Sequence, residues 1–445
     1  MALTAVDIFK HLPKTNCRDC GVPTCLAFAM KVAQKQTSLD QCPHVTDDAK
    51  AALAGESAPP IRLVAIGMGD KKLEIGQEVV LFRHENTFHH PCGIAVVLDA
   101  GLDDGAIGER LAHFRTLQFD RVGMTVGINL VAVKGSGDAD RLAVVAKRAS
   151  DEIGLPLILM GQAADELKPA VAALADRKPL IHAATADNAT AMAALAKEHG
   201  CPLVVNAADP AGLAELTPKV VEAGVQNVVL ATEPANTGDV LAHQTIIRRA
   251  ALTRKDRRLG YPTLVVVGES DPLGAATAGS LAIAKYAGIV VMANDSRPTI
   301  LALVTARLNI YTDPQKPIQI EAKLYEVGTP GSDSPVLVTT NFSLTYFTVE
   351  GDVASSKIPT WIVVVDTEGT SVLTAWASEK FSAETIAAAI KSSGVEDKVS
   401  HRKVVIPGGV AVLSGKLEDE SGWKVQVGSR ESSGIPALLR SWSAN

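Results

Sequence analysis

No apolar run in this chain approaches the roughly 18 residues that a helical bilayer crossing needs, so no helical span is expected. The start, Met1-Ala2-Leu3-Thr4-Ala5-Val6-Asp7, lacks the charged opening and apolar core of a secretory leader, and that absence points to the cytoplasm. Positive charge is not in excess. Lys and Arg number 43 against 49 Asp and Glu, a net charge of −6, whereas a nucleic-acid footprint needs a basic stripe. Aromatics are only 4% and charged residues 21%, with 47% hydrophobic, the balance of a globular interior; 445 residues suffice for two or three domains. Cysteine is also scarce, at six. Four of the six, however, crowd into the first tenth of the chain, while Cys92 and Cys201 stand alone.

The four are Cys17, Cys20, Cys25 and Cys42, spaced C-x2-C-x4-C-x16-C with Pro43 directly after the last. Four thiolates from one short segment suit an iron–sulfur cluster or a structural zinc. Zinc sites usually offer two C-x2-C pairs, whereas uneven intervals and a trailing Cys-Pro are features of bacterial cluster runs. A four-iron (4Fe–4S) cluster is therefore the leading reading, with zinc and buried inert thiols as the alternatives. Gly21 and Pro23 supply turn chemistry, and Leu26-Ala27-Phe28-Ala29-Met30 starts a helix whose first turn holds Cys25, where the helix N-terminus favours a thiolate. Clustered cysteines without extracellular features suit a reducing compartment, and an exposed cluster an anaerobe.

Three regions follow from the pattern: 1–57 with the cysteines, 58–325, and 326–445. In the second, Leu63–Ile66 and Val79–Phe82 read as a hairpin or edge strands. Eight β-branched runs then alternate with Ala- and Leu-rich amphipathic stretches, at Ile94–Leu98, Leu130–Val133, Leu157–Met160, Leu180–Ala183, Leu203–Asn206, Val228–Ala231, Leu264–Val267 and Ile289–Met292. Continuous apolar strands alternating with helices predict a parallel sheet, and eight units in series a (β/α)8 TIM barrel, with an open doubly wound sheet as competitor. Gly328–Pro335 has linker composition. Beyond it Val336–Thr339, Trp361–Val365, Val404–Ile406 and Val425–Val427 outline a smaller Rossmann/flavodoxin-like domain, so the whole chain is of the α/β class.

Ligands of open α/β sheets bind at the carboxyl ends of the strands. Those ends carry Thr339, Thr340 and Asn341, then Gly369, Thr370 and Ser371, then Pro407, Gly408 and Gly409, and finally Gly428 and Ser429 with Gly434 beyond. Glycines permit close approach of a flat ligand and hydroxyls can satisfy peripheral amides, although ordinary βα turns favour the same residues. Ser371-Val372-Leu373 and Gly408-Gly409 resemble the S-x-L and G-G elements of vitamin B12-binding domains. The D-x-H-x-x-G element of those domains is missing. His401, the only histidine beyond Pro335, lies in the charged stretch Ser400-His401-Arg402-Lys403 and reads as a solvated loop residue. In the barrel, Asp99, Asn206, Asp209, Glu233, Glu269, Asp271, Asn294 and Asp295 fall at strand ends, on the face that pterin-dependent methyltransferases of similar architecture use. Fold analogy alone does not make a site, and a scaffold role is expected. His89-His90-Pro91-Cys92 reads as loop and packing, since adjacent histidines point apart.

Nearly end to end, the chain resembles the large (gamma) subunits of corrinoid iron–sulfur proteins of the reductive acetyl-CoA (Wood–Ljungdahl) pathway. The resemblance rests on Cys17-Arg18-Asp19-Cys20-Gly21-x-Pro23-Thr24-Cys25 with Cys42-Pro43, on Thr339-Thr340-Asn341-Phe342-x-Leu344-Thr345-Tyr346-Phe347 and on Val365-Asp366-Thr367-Glu368-Gly369. It implies an N-terminal 4Fe–4S domain, a central barrel and a C-terminal cobamide-binding domain to which Thr345 and Tyr346 also contribute. The implied function is a methyl carrier that takes a methyl group from methyltetrahydrofolate onto Co(I) and passes it to acetyl-CoA synthase/CO dehydrogenase. The cluster would return Co(II) to Co(I). The implied partners are a small subunit in a heterodimer, a methyltetrahydrofolate-dependent methyltransferase, acetyl-CoA synthase and a reductive activator. No catalytic side chain is implied, and the cobamide is expected base-off with no protein histidine beneath the metal. Rival readings are a pterin-dependent methyltransferase with its own barrel site, and an iron–sulfur or zinc protein without corrinoid.

Overall fold

The computed structural model describes residues 5–34, 37, 39–46, 49, 59–121, 123–312 and 317–443. The chain divides into two compact units. One comprises Met1–Gln118 with Gly127–Tyr311, the other Phe119–Val126 with Thr312–Asn445. Among the described residues no helix is long and apolar enough to cross a membrane.

In the first unit, the helices Ala5–His11 and Cys25–Ala33 pack together around Ile8, Leu12, Phe28 and Ala29, with Cys25 and Cys42 in the same small core. Strands β1 (Val64–Ile66) and β2 (Leu73–Ile75) then form an antiparallel hairpin. The second strand is therefore not the apolar run Val79–Phe82. Gly67 and Gly69, both at positive φ, turn the chain back early, and Leu73-Glu74-Ile75 pairs instead.

The barrel begins at β3 (Gly93–Asp99). After a small hairpin of β4 (Gln118–Arg121) and β5 (Met124–Gly127) it continues as β6 (Leu130–Lys134), β7 (Leu157–Met160), β8 (Leu180–Ala184), β9 (Leu203–Ala207), β10 (Val228–Thr232), β11 (Thr263–Val267) and β12 (Ile289–Met292). These eight parallel strands close in the order β10-β11-β12-β3-β6-β7-β8-β9, so each of the eight anticipated runs is a barrel strand. Alternate residues point inward: Ala95, Leu130, Ala132, Ile158, Leu180, Val204, Val229, Leu264, Ile289 and Val291 fill the interior together with Val64, Ile66 and Ile75 of the hairpin. Asp103, Asp138, Asp209, Asn236 and Asp271 each accept a backbone N–H at the start of an outer helix.

The second unit holds a five-stranded sheet in the order β13-β15-β14-β16-β17. Its strands are β13 (Leu324–Val327), β14 (Val336–Thr340), β15 (Thr360–Val365), β16 (Lys403–Ile406) and β17 (Lys424–Val427). Only β13 runs antiparallel, at the edge beside β15. The stretch Gly328–Pro335 thus joins two strands of one sheet and does not join domains. Side chains of alternating parity feed two cores. Val336, Val338, Trp361, Val363, Val365 and Val404 pack with Ile386, Leu417 and Trp423 on one face, and Leu337, Ile362, Val364 and Val405 with Tyr346, Val353, Ile435 and Leu439 on the other. The sheet is covered on both sides, which is why its strands read as unbroken apolar runs.

Arg307 is a test of how the barrel is tied. Only 8% exposed, it donates to the carbonyls of Cys92 (3.2 Å) and Gly127 (2.8 Å) and to Asn129 Oδ1, and burial lowers its pKa. Arg307→Met should strand three buried acceptors and lower unfolding stability by about 3 kcal/mol in urea titrations. Arg307→Lys should recover only part of the loss, because an ammonium cannot reproduce the planar fork.

Candidate functional site

Two places in the chain gather chemistry-bearing residues. The first is the cysteine segment. Thr24 caps the helix Cys25–Ala33 by accepting the Ala27 N–H at 3.1 Å, so Cys25 stands at the first helical position, as the sequence anticipates. Asn16, held at positive φ, accepts the Cys25 N–H at 2.8 Å and directs its own N–H to Cys25 Sγ at 3.4 Å. Gly21 closes the Cys17–Cys20 loop onto the Arg18 carbonyl at 2.8 Å. Cys25 and Cys42 are buried, Cys20 is partly buried against them, and Cys17 is exposed. Beside Cys17, Asp19 lies 2.6 Å from His44 Nε2; that hydrogen bond, then one from Cys17, holds its carboxyl below the usual range. Three thiols facing one small core, one of them receiving a backbone N–H, form a donor set suited to a cluster whose sulfurs are hydrogen-bonded. Cys92 is different. It is fully buried, and burial pushes its thiol up to about 12, as expected of a packing residue.

The second place is the carboxyl edge of the sheet in the second unit. Neighbouring parallel strands β14 and β16 are followed by connections that leave in opposite directions, making this the topological switch point. A cavity of about 180 Å³ opens there, lined by Thr339, Thr345, Val372, Leu373, Pro407 and Gly409 of the anticipated residues. Gly428, Ser429, Arg430 and Ser432 line it as well, and the sequence offered only their place after a strand as a signal.

Thr340, Asn341, Tyr346, Gly369, Thr370, Ser371, Gly408 and Gly434 stand outside that lining. Asn341 has a constructive part. Its Oδ1 accepts the N–H groups of Thr367 (3.0 Å) and Gly369 (2.9 Å) and the Thr367 hydroxyl (3.0 Å), while its Nδ2 donates to Gln319 and to Asp366 (2.9 Å). One buried amide thus fixes the whole loop after β15, whose turn uses positive φ at Glu368 and Gly369. Thr370 closes the loop by bonding back to the Thr367 carbonyl. Tyr346 is buried against Tyr325 and Phe347, and burial raises its hydroxyl pKa well above the ordinary value. At Gly408 an added Cβ would lie 2.4 Å from the Gly428 carbonyl oxygen, and at Gly434 2.6 Å from Ser429 Cβ. Close approach at these two glycines is between protein segments.

Two features of this edge are not explained by folding. The hydroxyls of Thr339, Thr340, Ser343 and Ser429 are buried with no hydrogen-bond partner among the described residues. In addition, the connections after β14, β15 and β16 each expose large apolar side chains: Leu344 (56%), Leu373 (58%), Trp376 (43%) and Val412 (72%).

His401 departs from its expected place. It is buried, packed edge-on against Trp423 and Trp442. Its Nδ1 accepts the Lys403 N–H at 3.2 Å, so Nε2 carries the proton donated to the Ser334 carbonyl at 2.9 Å. It precedes β16 and therefore sits at the amino edge of the sheet, opposite the cavity. The flanking charges misled; two distant tryptophans bury the ring.

Asn341→Ala should raise hydrogen exchange at the Thr367 and Gly369 amides by roughly tenfold or more, the loss of about one hydrogen bond each. The strand amides of β14 and β15 should be unaffected.

Residues 63–439 match the family model described as CO dehydrogenase/acetyl-CoA synthase delta subunit, and residues 12–44 match one described as "Putative Fe-S cluster". The chain is 45% identical over 443 residues to the corrinoid/iron-sulfur protein large subunit of Moorella thermoacetica, covering 99% of both chains. It is 34% identical over 455 residues to the acetyl-CoA decarbonylase/synthase complex subunit gamma of Methanothermobacter thermautotrophicus, again 99% of both. To the Methanopyrus kandleri subunit of the same description it is 35% identical over 459 residues, 98% of this chain and 97% of that one.

Proposed function

Because the chain belongs to the CO dehydrogenase/acetyl-CoA synthase delta-subunit family, together with the corrinoid/iron-sulfur protein large subunits, we propose that it is a methyl-group carrier with two resident cofactors. Cys17, Cys20, Cys25 and Cys42 hold a 4Fe–4S cluster, and the carboxyl edge of β14, β15 and β16 holds a cobamide. When bound, the cobamide supplies the methyl-accepting cobalt and the cluster supplies the electron that restores its reactive state. The carrier receives its methyl group from methyltetrahydrofolate through a methyltransferase and delivers it to acetyl-CoA synthase/CO dehydrogenase. It works as a heterodimer with a small subunit and is served by a reductive activator.

The observation that carries this reading is the exposed apolar rim above unpaired hydroxyls. Leu344, Leu373, Trp376 and Val412 offer a face for a flat apolar ring with polar margins, and the Thr339 and Ser429 hydroxyls await hydrogen-bonding groups such as peripheral amides. The cavity of about 180 Å³ is too small for a macrocycle. Leu344, Leu373, Trp376 and Val412 would therefore hold the ring, and the cavity would admit only a narrow appendage. With His401 at the far edge and both its nitrogens engaged, no imidazole of this unit is available beneath the metal.

Metal analysis of anaerobically purified protein tests the reading. Cobalt and iron should both be stoichiometric, and cobalt-free protein would sink it. The Co(II) spin resonance spectrum should lack the threefold splitting that a coordinated nitrogen imposes. Cys20→Ala should abolish the native iron–sulfur signal and reductive reactivation while leaving cobalt content near normal, since Cys20 belongs to a separate core. Methyl transfer from chemically pre-reduced Cys20→Ala protein should survive; its loss would give the cluster a role beyond electron supply.

A further inference from the structure

Most polar groups away from the two sites have structural employment. At the barrel mouth Asp209 and Asp271 cap helices, Asp295 pairs with Arg110 at 2.7 Å, and Asn206 donates to Glu233 at 2.8 Å. Asn294 donates to the Ser270 carbonyl, and Asp99 accepts the Gly101 N–H. The pair of Asp19 and His44 is placed differently. Asp19 lies between Cys17 and Cys20, and His44 follows Cys42-Pro43, so their bond joins the two ends of the cysteine segment across 25 residues.

Both side chains ride on turns built around the cysteines. Arg18 and Gly21 take positive φ, and the Gly21 N–H closes the loop that carries Asp19 onto the Arg18 carbonyl at 2.8 Å. On the other side the Val45 N–H reaches the Cys42 carbonyl at 3.4 Å, closing the turn that carries His44. Because a carboxylate oxygen only accepts, His44 Nε2–H is the donor to Asp19 Oδ2, at 2.6 Å. Asp19 also accepts a hydrogen bond from the Cys17 thiol, and the Cys17 sulfur, the Asp19 carboxylate and the His44 ring nitrogen lie within 4.8 Å of one another. The three could hold a lone divalent ion only by taking Cys17 from the cluster. An exposed Asp–His pair elsewhere on a surface would contribute little. Here it places a carboxylate against a sulfur assigned to the cluster.

Net charge and hydrogen bonds at the sulfurs set the potential of an iron–sulfur centre. The two ends of this segment act in opposite directions. Cys25 Sγ receives the Asn16 N–H at 3.4 Å, and a donor there eases the negative charge that reduction adds. At Cys17 a carboxylate opposes that charge. A metal-bound thiolate has no proton to give, so toward the loaded cluster Asp19 acts as a charge. We propose that Asp19 keeps the reduction potential of the cluster low, favouring release of its electron to cobalt, and that His44 is the residue that positions it. One electron leaves the reduced cluster and converts Co(II) to Co(I), and an external low-potential one-electron reductant restores the cluster. The inference rests on the carrier reading and its four cysteine ligands. Asp19 and His44 are each about half exposed, so water and salt keep the effect modest.

A redox titration of full-length, metal-loaded protein, followed by the spin resonance signal of the reduced cluster, tests this. Asp19→Asn keeps the shape and removes the charge. At a fixed poise it should raise the ratio of reduced to oxidised cluster by roughly threefold to tenfold, tenfold being about 59 mV for one electron. Asp19→Glu, which keeps the charge, should stay within about twofold of native. An unshifted ratio in Asp19→Asn overturns the proposal, as does a shift in Asp19→Glu equal to that in Asp19→Asn. If Asp19→Asn does not retain iron, His44→Ala carries the test: it leaves the carboxylate but frees it, and should shift the ratio in the same direction by less. An unshifted ratio there overturns the proposal. Iron and cobalt are measured on the same samples. Native protein lacking either metal sinks the carrier reading, whereas a native cluster signal with an unshifted Asp19→Asn sinks this inference alone.

Discussion

Parallel strands buried on both faces leave no room along their length for polar chemistry. Each residue of β15, for example, is buried, and its five apolar side chains are divided between two apolar cores. Hydroxyls, amides and charges are therefore driven to the strand ends, where backbone groups are freed from the ladder and connections can be shaped. The same constraint acts in both units. In the barrel it gathers Lys134, Asn206 and Glu233 at the mouth, and in the sheet it produces the Thr339, Asn341 and Ser429 edge. These polar side chains lie at carboxyl ends because the fold has nowhere else to put them.

The cysteine segment obeys a different logic. It is too short to build a large apolar interior, and two of its four thiols lie inside the small core it does have. Thiols that double as core residues would tie folding of the segment to any metal or cluster they bind. The helix start at Cys25 was legible because its causes are local: Thr24 and Gly21 act within a few residues of the cysteines beside them, and Asn16 reaches Cys25 across nine.

Legibility elsewhere followed the same division between local and distant causes. The eight barrel strands could be read because a doubly buried strand must be a β-branched run, whatever it pairs with. The hairpin was misassigned because Val79–Phe82 is as apolar as a strand, whereas Leu73–Ile75 carries Glu74 and pairs through turn geometry. His401 was misread because its sequence neighbours are charged, while Trp423 and Trp442, which bury it, lie 22 and 41 residues away. Asn341 shows the limit most plainly. Its position after a strand was visible, but its five hydrogen bonds reach Gln319 and the Asp366–Gly369 loop, and no local pattern announces them.

The carboxyl edge of the sheet combines a fully satisfied side chain with several unsatisfied ones, and the combination has a direction. Asn341 uses its whole hydrogen-bonding capacity on the protein, so the loop after β15 is fixed before any ligand arrives. Thr339 and Ser429, facing the cavity, use none, and each buried unpaired hydroxyl costs about 1–3 kcal/mol. A fold that needed only stability could replace them with valine or alanine. Keeping the hydroxyls on a rigid frame means that a partner which does satisfy them recovers that cost without reorganising the loop, so the expense of folding becomes affinity for the ligand. The exposed apolar side chains above them act in the same sense, since covering them removes apolar surface from water. Rigid support, unpaired donors and an uncovered apolar rim on one edge are what distinguish a binding surface from ordinary strand turns, which supply the small polar residues but not the other two.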